Sequence, residues 1–524
     1  MKRERLFGDE VVTVAPGGSG GSGVPSAVPT DAERMAVAPS GGRSRISGFV
    51  AGFSRLLDPV RRWSPEWRDA ALYGISGLFA VLTATLAGIS LYRQWALMAF
   101  GPYLAGGAFM AFVAWRRGSR QGESPATSRR YRIARIAACV VVFAGATIVP
   151  LTMEVVWRWD GSAAEHVQPE VVVVEQAGVA AIHGHNPYRV IDKNGHILIH
   201  QDALPVYELY YPYLPGMVLF GFSSGSKVKA DLTDARLQFL VFTILVGGFA
   251  LGRLRAPKDT RARALQVLAV LPTAALPLAT GGDDMPVVAL MLLGLVALQR
   301  RRPLLAGLAL GAASSLKFTA WPLAFLALWA ARDLYRRRAL GRYVLGFALI
   351  AVPVVAPFAF RNTSAFVDNV IRFPLGLAGV ASPAASPLPG HTLISAFPGI
   401  HRPYLITVAV IGAVLLLWRL KAKPPRTAAD VAVLTGWAML IALLLAPATR
   451  VGYLLYPSNL FVWGYVLRRA VTPEELAPKL PGTHPTPVFG RLFGQVGSWT
   501  SNNRRVNGVT PPEVVGETTT PTSQ

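Results

Sequence analysis

One cysteine, Cys139, is all the thiol this chain has, and it lies inside an apolar run. A disulfide framework and a thiolate metal cluster are therefore excluded within one chain, and the redox compartment stays open. Acidic residues are scarce too: 29 Asp and Glu stand against 52 Lys and Arg, a formal charge of +23. Such an excess can mark a nucleic-acid binder. Here the cations fall in short clusters between apolar stretches, not along one helix face or among stacking aromatics, so no nucleic-acid partner is expected. No G-x-G-x-x-G follows a strand-like run and there is no P-loop, so nothing reads as a nucleotide site. Residues 1–65 lack the apolar run of a signal peptide and carry GGSGGSG at 17–23; they read as a disordered cytoplasmic tail.

What the chain has in quantity is hydrocarbon: 52% hydrophobic residues, 15% charged, mean hydropathy +0.39. That composition belongs to a polytopic membrane protein, all-α because a backbone in lipid must satisfy itself. A span needs about 20 apolar residues. About twelve candidate runs are expected, roughly at 70–92, 95–115, 134–156, 236–254, 264–280, 285–299, 303–316, 319–332, 343–360, 404–420, 431–448 and 452–467. Arg116 to Arg132, Arg253 to Arg263, Arg300 to Arg302, Arg336 to Arg338, Arg419 to Lys423 and Arg468 with Arg469 can then all face the cytoplasm, as the positive-inside rule asks. Both termini fall inside, in the plasma (inner) membrane of the cell. The apolar piece Tyr210 to Phe222, YYPYLPGMVLFGF, has two prolines and is too short to span, so it reads as interfacial or re-entrant. The expected organisation is a membrane domain at 66–469, outer loops at 157–235 and 361–403, and a second disordered cytoplasmic tail at 470–524.

The first outer loop concentrates the carboxylates, histidines and aromatics. PEVVVVEQAGVAAIHGHNPYRV starts with Glu170 and ends in an Asn186-Pro187-Tyr188 turn, and Tyr210-Tyr211-Pro212-Tyr213 makes a second aromatic turn. An acidic residue, an Ala-rich stretch, G-x-N-P-Y and an aromatic-proline turn together resemble the first periplasmic loop of GT-C glycosyltransferases. The nearest likeness is to the polyprenol-phosphate-mannose-dependent mannosyltransferases of glycosyltransferase family 87. It continues through GGDDMPVVALMLLGLVALQRRRPLLAGLALGAASSLKFTAWPLAFLAL and, more weakly, APATRVGYLLYP. It covers roughly 160–335 and leaves the first two spans unmatched. Glu170 stands where the family usually has Asp, and Tyr213 where a second proline is common. The resemblance implies a GT-C helical bundle, a polyprenyl-phosphate sugar donor and a glycolipid or glycan acceptor, with Glu170 as base and membrane lipids around.

The chemistry can be argued from the residues as well. Transfer from a lipid phosphate needs a carboxylate to take the acceptor's proton and cations to hold the departing phosphate. Glu170 is the candidate base, with Glu175 and Asp160 as alternatives, and a solvated loop glutamate as the bland reading. Lys317 and Arg450 are lone cations at the outer ends of apolar helices, suited to phosphate or merely to snorkelling. Asp283 and Asp284 could bind sugar hydroxyls, cap the helix near Pro286 or pair with Lys317. Tyr188 and Tyr211 could stack on a sugar or sit in an aromatic belt; His391 could touch a substrate or simply be exposed. His183, His185, His196 and His200 match no strong zinc spacing, and no metal or cofactor is called for. The rival readings are a secondary transporter and an inactive relative that binds a lipid-linked glycan.

Overall fold

The structure, a computed structural model, describes residues 63–118, 125–160, 165–188, 206–225, 230–380 and 384–469, a few of them by backbone alone. The chain divides into two units, 1–68 and 69–524. Of the first, the described residues are 63–68, helical from Pro65; the second carries everything discussed below.

In chain order the helices are α1 (Pro65–Leu86), α2 (Ser90–Gly118), α3 (Arg129–Trp159), α4 (Pro169–Ile182), α5 (Ala235–Arg253), α6 (Lys258–Thr280), α7 (Asp284–Gln299), α8 (Pro303–Leu316), α9 (Trp321–Arg361), α10 (Pro389–Ala396), α11 (Pro398–Ala422), α12 (Ala428–Leu445) and α13 (Leu455–Arg469). Among the described residues there is no strand beyond one isolated bridge. The all-α polytopic expectation holds. Among the described residues eight helices are long and apolar enough to cross a membrane: α1, α2, α3, α5, α6, the Arg338–Arg361 arm of α9, α11 and α12. By length and composition that is fewer than the roughly twelve runs expected. The other expected runs are helical but short: α7, α8, the first arm of α9, and α13. Burial by neighbours explains why short elements suffice, since α7 is buried along nearly its whole length.

The arginine cluster near 336–338 does turn the chain back, although α9 is helical throughout its 41 residues. Tyr343 donates to the Ala324 carbonyl at 2.7 Å, and the Trp321 and Phe347 rings meet at 5.7 Å. A straight helix would hold those pairs about 28 and 39 Å apart. The two arms are therefore antiparallel. α8 lies against the second arm at backbone distance: a Cβ on Gly307 would come within 2.1 Å of the Tyr343 carbonyl oxygen, and one on Gly311 within 2.6 Å of Phe347's. Small residues four apart make that approach possible, and it is the reason for the A-G-x-x-x-G pattern.

α1, α2, α3 and α6 build a second core around Tyr73, Trp95, Tyr103 and Val142. α6 breaks at Leu271, extended before Pro272, which strands carbonyls in an apolar setting. Side chains satisfy them: Tyr103 donates to Val270 at 2.6 Å and Thr147 to Ala269 at 3.2 Å. Trp95 does the same at 2.9 Å for Ala146, in a π-helical turn of α3.

The segment Tyr210 to Phe222 is no span. It enters as a 3₁₀ coil, Pro215–Gly225, packed inside the loop-bearing end. Leu214 N donates to the Leu316 carbonyl at 3.0 Å. The opposite end of α7 meets the arginine turns, where Gln299 exchanges hydrogen bonds with the Arg255 backbone at 3.1 Å. One end thus gathers arginines and the other, about 24 Å away along α7, gathers the site.

Candidate active site

Proline at N1 and an extended Gln168 start α4, so Glu170 sits in its first turn, where the helix dipole favours an anion. Three contacts fix that turn. Gln168 donates from its backbone to Thr280 O at 3.3 Å and from Nε2 to Thr280 Oγ1 at 2.8 Å. Gly281, at φ +125°, lies so close that a Cβ would stand 2.3 Å from Val171 Cγ2. Further along, α4 crosses the 3₁₀ coil glycine on glycine: a Cβ at Gly178 would fall 2.1 Å from the Gly221 carbonyl carbon.

Glu170 Oε1 ion-pairs with Arg450 Nη1, while Oε2 is buried with no partner. Arg450 is held by the second long loop. Ala385 bridges Thr449 in parallel, Thr449 N donates to Ala384 O at 2.8 Å, and Val451 N donates to Ser386 Oγ at 3.1 Å. His391 meets the Pro447 carbonyl through Nδ1 at 2.8 Å and Ser395 through Nε2 at 3.3 Å. Both ring nitrogens are engaged with the protein, so His391 props the Arg450 segment.

Lys317 closes α8 and is buried between Asp283 at 2.7 Å and Asp284 at 2.5 Å. Pairing with lysine, not capping, is what the aspartates do, since the Asp283 side chain makes no cap bond to α7. Tyr456 donates to Asp284 at 2.6 Å and receives Thr319 at 2.6 Å, and the Tyr213 ring lies 5.0 Å from Lys317 Nζ. Burial pushes the Asp283 carboxyl up to about 7, Lys317 opposing and Asp284 adding to the rise. Burial works against the Lys317 charge, yet the two aspartates outweigh it and hold the ammonium above its ordinary range. Arg450 is raised in the same way, with Glu170 outweighing burial. Asp283 Oδ2 and Tyr211 Oη are buried without partners.

Glu170, Arg450, Lys317, Asp283 and Asp284 thus come together, with Tyr213 and Tyr453 between them. Other expected residues stand apart. Glu175 is spent: Arg158 grips both its oxygens at 2.6 and 3.0 Å, and Ala235 N donates to Oε1 at 3.0 Å. Arg158 also holds Asp234 at 2.7 Å, so this buried network ties α3, α4 and α5 rather than offering a base. The backbone at Asp160 is described, but its side chain lies outside the described residues, as do His196 and His200. Tyr188 is 1% exposed, donates to Tyr213 O at 2.9 Å and packs on Tyr211, Phe358 and Phe366. Tyr211 is 2% exposed, its N–H bonded to Asn369 at 2.7 Å. Neither ring offers a face to a sugar; their turns are packed, because aromatic planes beside prolines fill a core as readily as a cleft.

Sequence reasoning passed over Tyr92, Tyr453, Tyr456 and Glu208. Glu208 lies on the 3₁₀ turn Val206–Leu209, where burial and then Glu170 raise its carboxyl. Nothing local marks these residues, since each reaches the site by tertiary packing.

The model of glycosyltransferase family 87 matches residues 229–447. The resemblance is borne out for that part, which holds Lys317, both aspartates and the α8 hairpin, and it supports a membrane glycosyltransferase. The match starts at residue 229, near the end of the expected outer loop and well after Glu170. No curated protein and no solved structure matches the chain.

Proposed function

We propose, from that match and this geometry, a membrane glycosyltransferase that moves a hexose, mannose first among candidates, from a polyprenyl-phosphate donor to a lipid or glycan acceptor. In this reading 66–469 is the catalytic domain in the cell membrane, the two long loops face outward, and both termini are cytoplasmic. The observation that carries it is Glu170: one oxygen held by Arg450, the other buried and unpartnered, at the end of the bundle where Lys317 sits.

The acceptor hydroxyl oxygen attacks the anomeric carbon as the bond from that carbon to the phosphate oxygen breaks. Its proton passes to Glu170 Oε2, and the electron pair leaves with the phosphate. Arg450 can take two phosphate oxygens through its planar fork, and Lys317 adds a buried positive charge. A single displacement inverts the anomeric carbon.

The test is transfer of radiolabelled mannose from synthetic polyprenyl-phosphate-mannose to lipids in membranes holding wild type or Glu170→Gln. Transfer by wild type and loss in the variant is the expected result. A silent wild type overturns the donor assignment; full transfer by Glu170→Gln overturns the base.

A further inference from the structure

Tyr92 lies three residues into α2, far N-terminal to the region that the family model matches. Its hydroxyl accepts a hydrogen bond from Gln168 Nε2 at 3.0 Å. Gln168 is two residues before Glu170 and is itself clamped to Thr280. Through Gln168 the Tyr92 hydroxyl is tied to the first turn of α4, where Glu170 sits, and it lies within electrostatic reach of Glu170 and Arg450. A phenol has one proton to give and lone pairs to receive. Gln168 uses a lone pair, and among the described residues no acceptor takes the proton. Glu170 Oε2, for its part, is a buried acceptor without a donor.

An unused donor and an unused acceptor beside one ion pair match the two faces of an alcohol, which accepts through one lone pair while giving up its own proton. We infer that Tyr92 binds the acceptor's hydroxyl and orients it on Glu170 Oε2, so that the helices before the matched region supply part of the acceptor site. This rests on the transferase reading above. Tyr103, about three turns further along the same face of α2, makes a useful contrast, since its hydroxyl is consumed by the Val270 carbonyl.

The experiment is steady-state transfer from polyprenyl-phosphate-mannose by the full chain in liposomes, with a lipid extract of the source membranes varied as acceptor. Tyr92→Phe removes one oxygen and is compared with Tyr103→Phe, the melting temperature of each being measured in parallel. Loss of one hydrogen bond to the acceptor raises its KM about tenfold. The donor KM should stay at the wild-type value, and Tyr103→Phe should lower the melting temperature without moving either KM. An unchanged acceptor KM in Tyr92→Phe, or an equal rise in both, overturns the assignment while leaving the transferase reading intact. A wild type that transfers nothing overturns that reading and the assignment with it.

Discussion

Arg450 and Glu170 stand 280 residues apart in sequence and are ion-paired in the fold. The pair occupies Oε1 of Glu170 and leaves Oε2 buried without a partner. In the proposed transferase a donor phosphate would compete for the same guanidinium and draw Arg450 away from Glu170.

Arg450→Lys keeps the charge and loses the fork. The donor KM is expected to rise by roughly tenfold or more, as one lost charge-assisted hydrogen bond implies. Kinetics with varied donor concentration check it, and an unchanged donor KM would show that Arg450 only holds Glu170.

Glu170→Gln and Glu175→Gln should part company. The first removes the base and lowers kcat by about two to four orders of magnitude with the fold intact. The second leaves Arg158 under-compensated in a buried network, so it costs several kcal/mol of stability, about 3–5. Thermal melts beside transfer rates separate them: for Glu170→Gln the rate falls, and for Glu175→Gln the melting temperature.

Much of this was legible in the sequence, and the reasons differ by element. Hydropathy located the helices, since every apolar run is helical, and the arginine clusters located the turn within α9 that a helix assignment alone would hide. It did not tell long helices from short ones, because an apolar run says nothing of its neighbours, and the short α7 is sheltered by them. Lys317, Asp283 and Asp284 could be read because turn and hairpin spacing fix them locally. Tyr188 and Tyr211 could not, since whether a ring faces a cleft or a core depends on Phe358, Phe366 and Asn369, more than a hundred residues on. The same holds for Tyr92, which meets Gln168 only through the docking of α2.

Glycine contacts make a further test of positioning. At Gly178 a Cβ would stand 2.1 Å from the Gly221 carbonyl carbon and 2.3 Å from its oxygen. That backbone cannot yield as a flexible side chain would, so Gly178→Ala must move α4 off the 3₁₀ coil, at a cost of about 1–3 kcal/mol. The shift travels to the first turn of the same helix, where Glu170 meets Arg450. Expected is a folded, membrane-inserted protein with kcat down by about a hundredfold, the scale of a 1 Å misplacement. Gly74→Ala, with open space around it in the interior of α1, should leave the rate alone and raise the melting temperature slightly.

The pH dependence follows from Asp283, whose carboxyl is pushed up to about 7 by burial. Its value in the folded chain exceeds that in the unfolded chain, about 3.9. The stability it contributes is therefore complete below about 4 and lost as pH rises through about 7. Activity should follow the same group. Below 7 the neutral Asp283 no longer offsets the Lys317 charge, which leaves the ammonium freer to attract a phosphate. Above 7 the second carboxylate returns and competes with the donor. The donor KM is thus expected to climb between pH 6 and 8, and Asp283→Asn, neutral throughout, should flatten the climb and hold the donor KM at its low-pH value. A climb that survives in Asp283→Asn would assign the titration to another group in the cluster, with Glu208, also raised by burial and by Glu170, the next to replace.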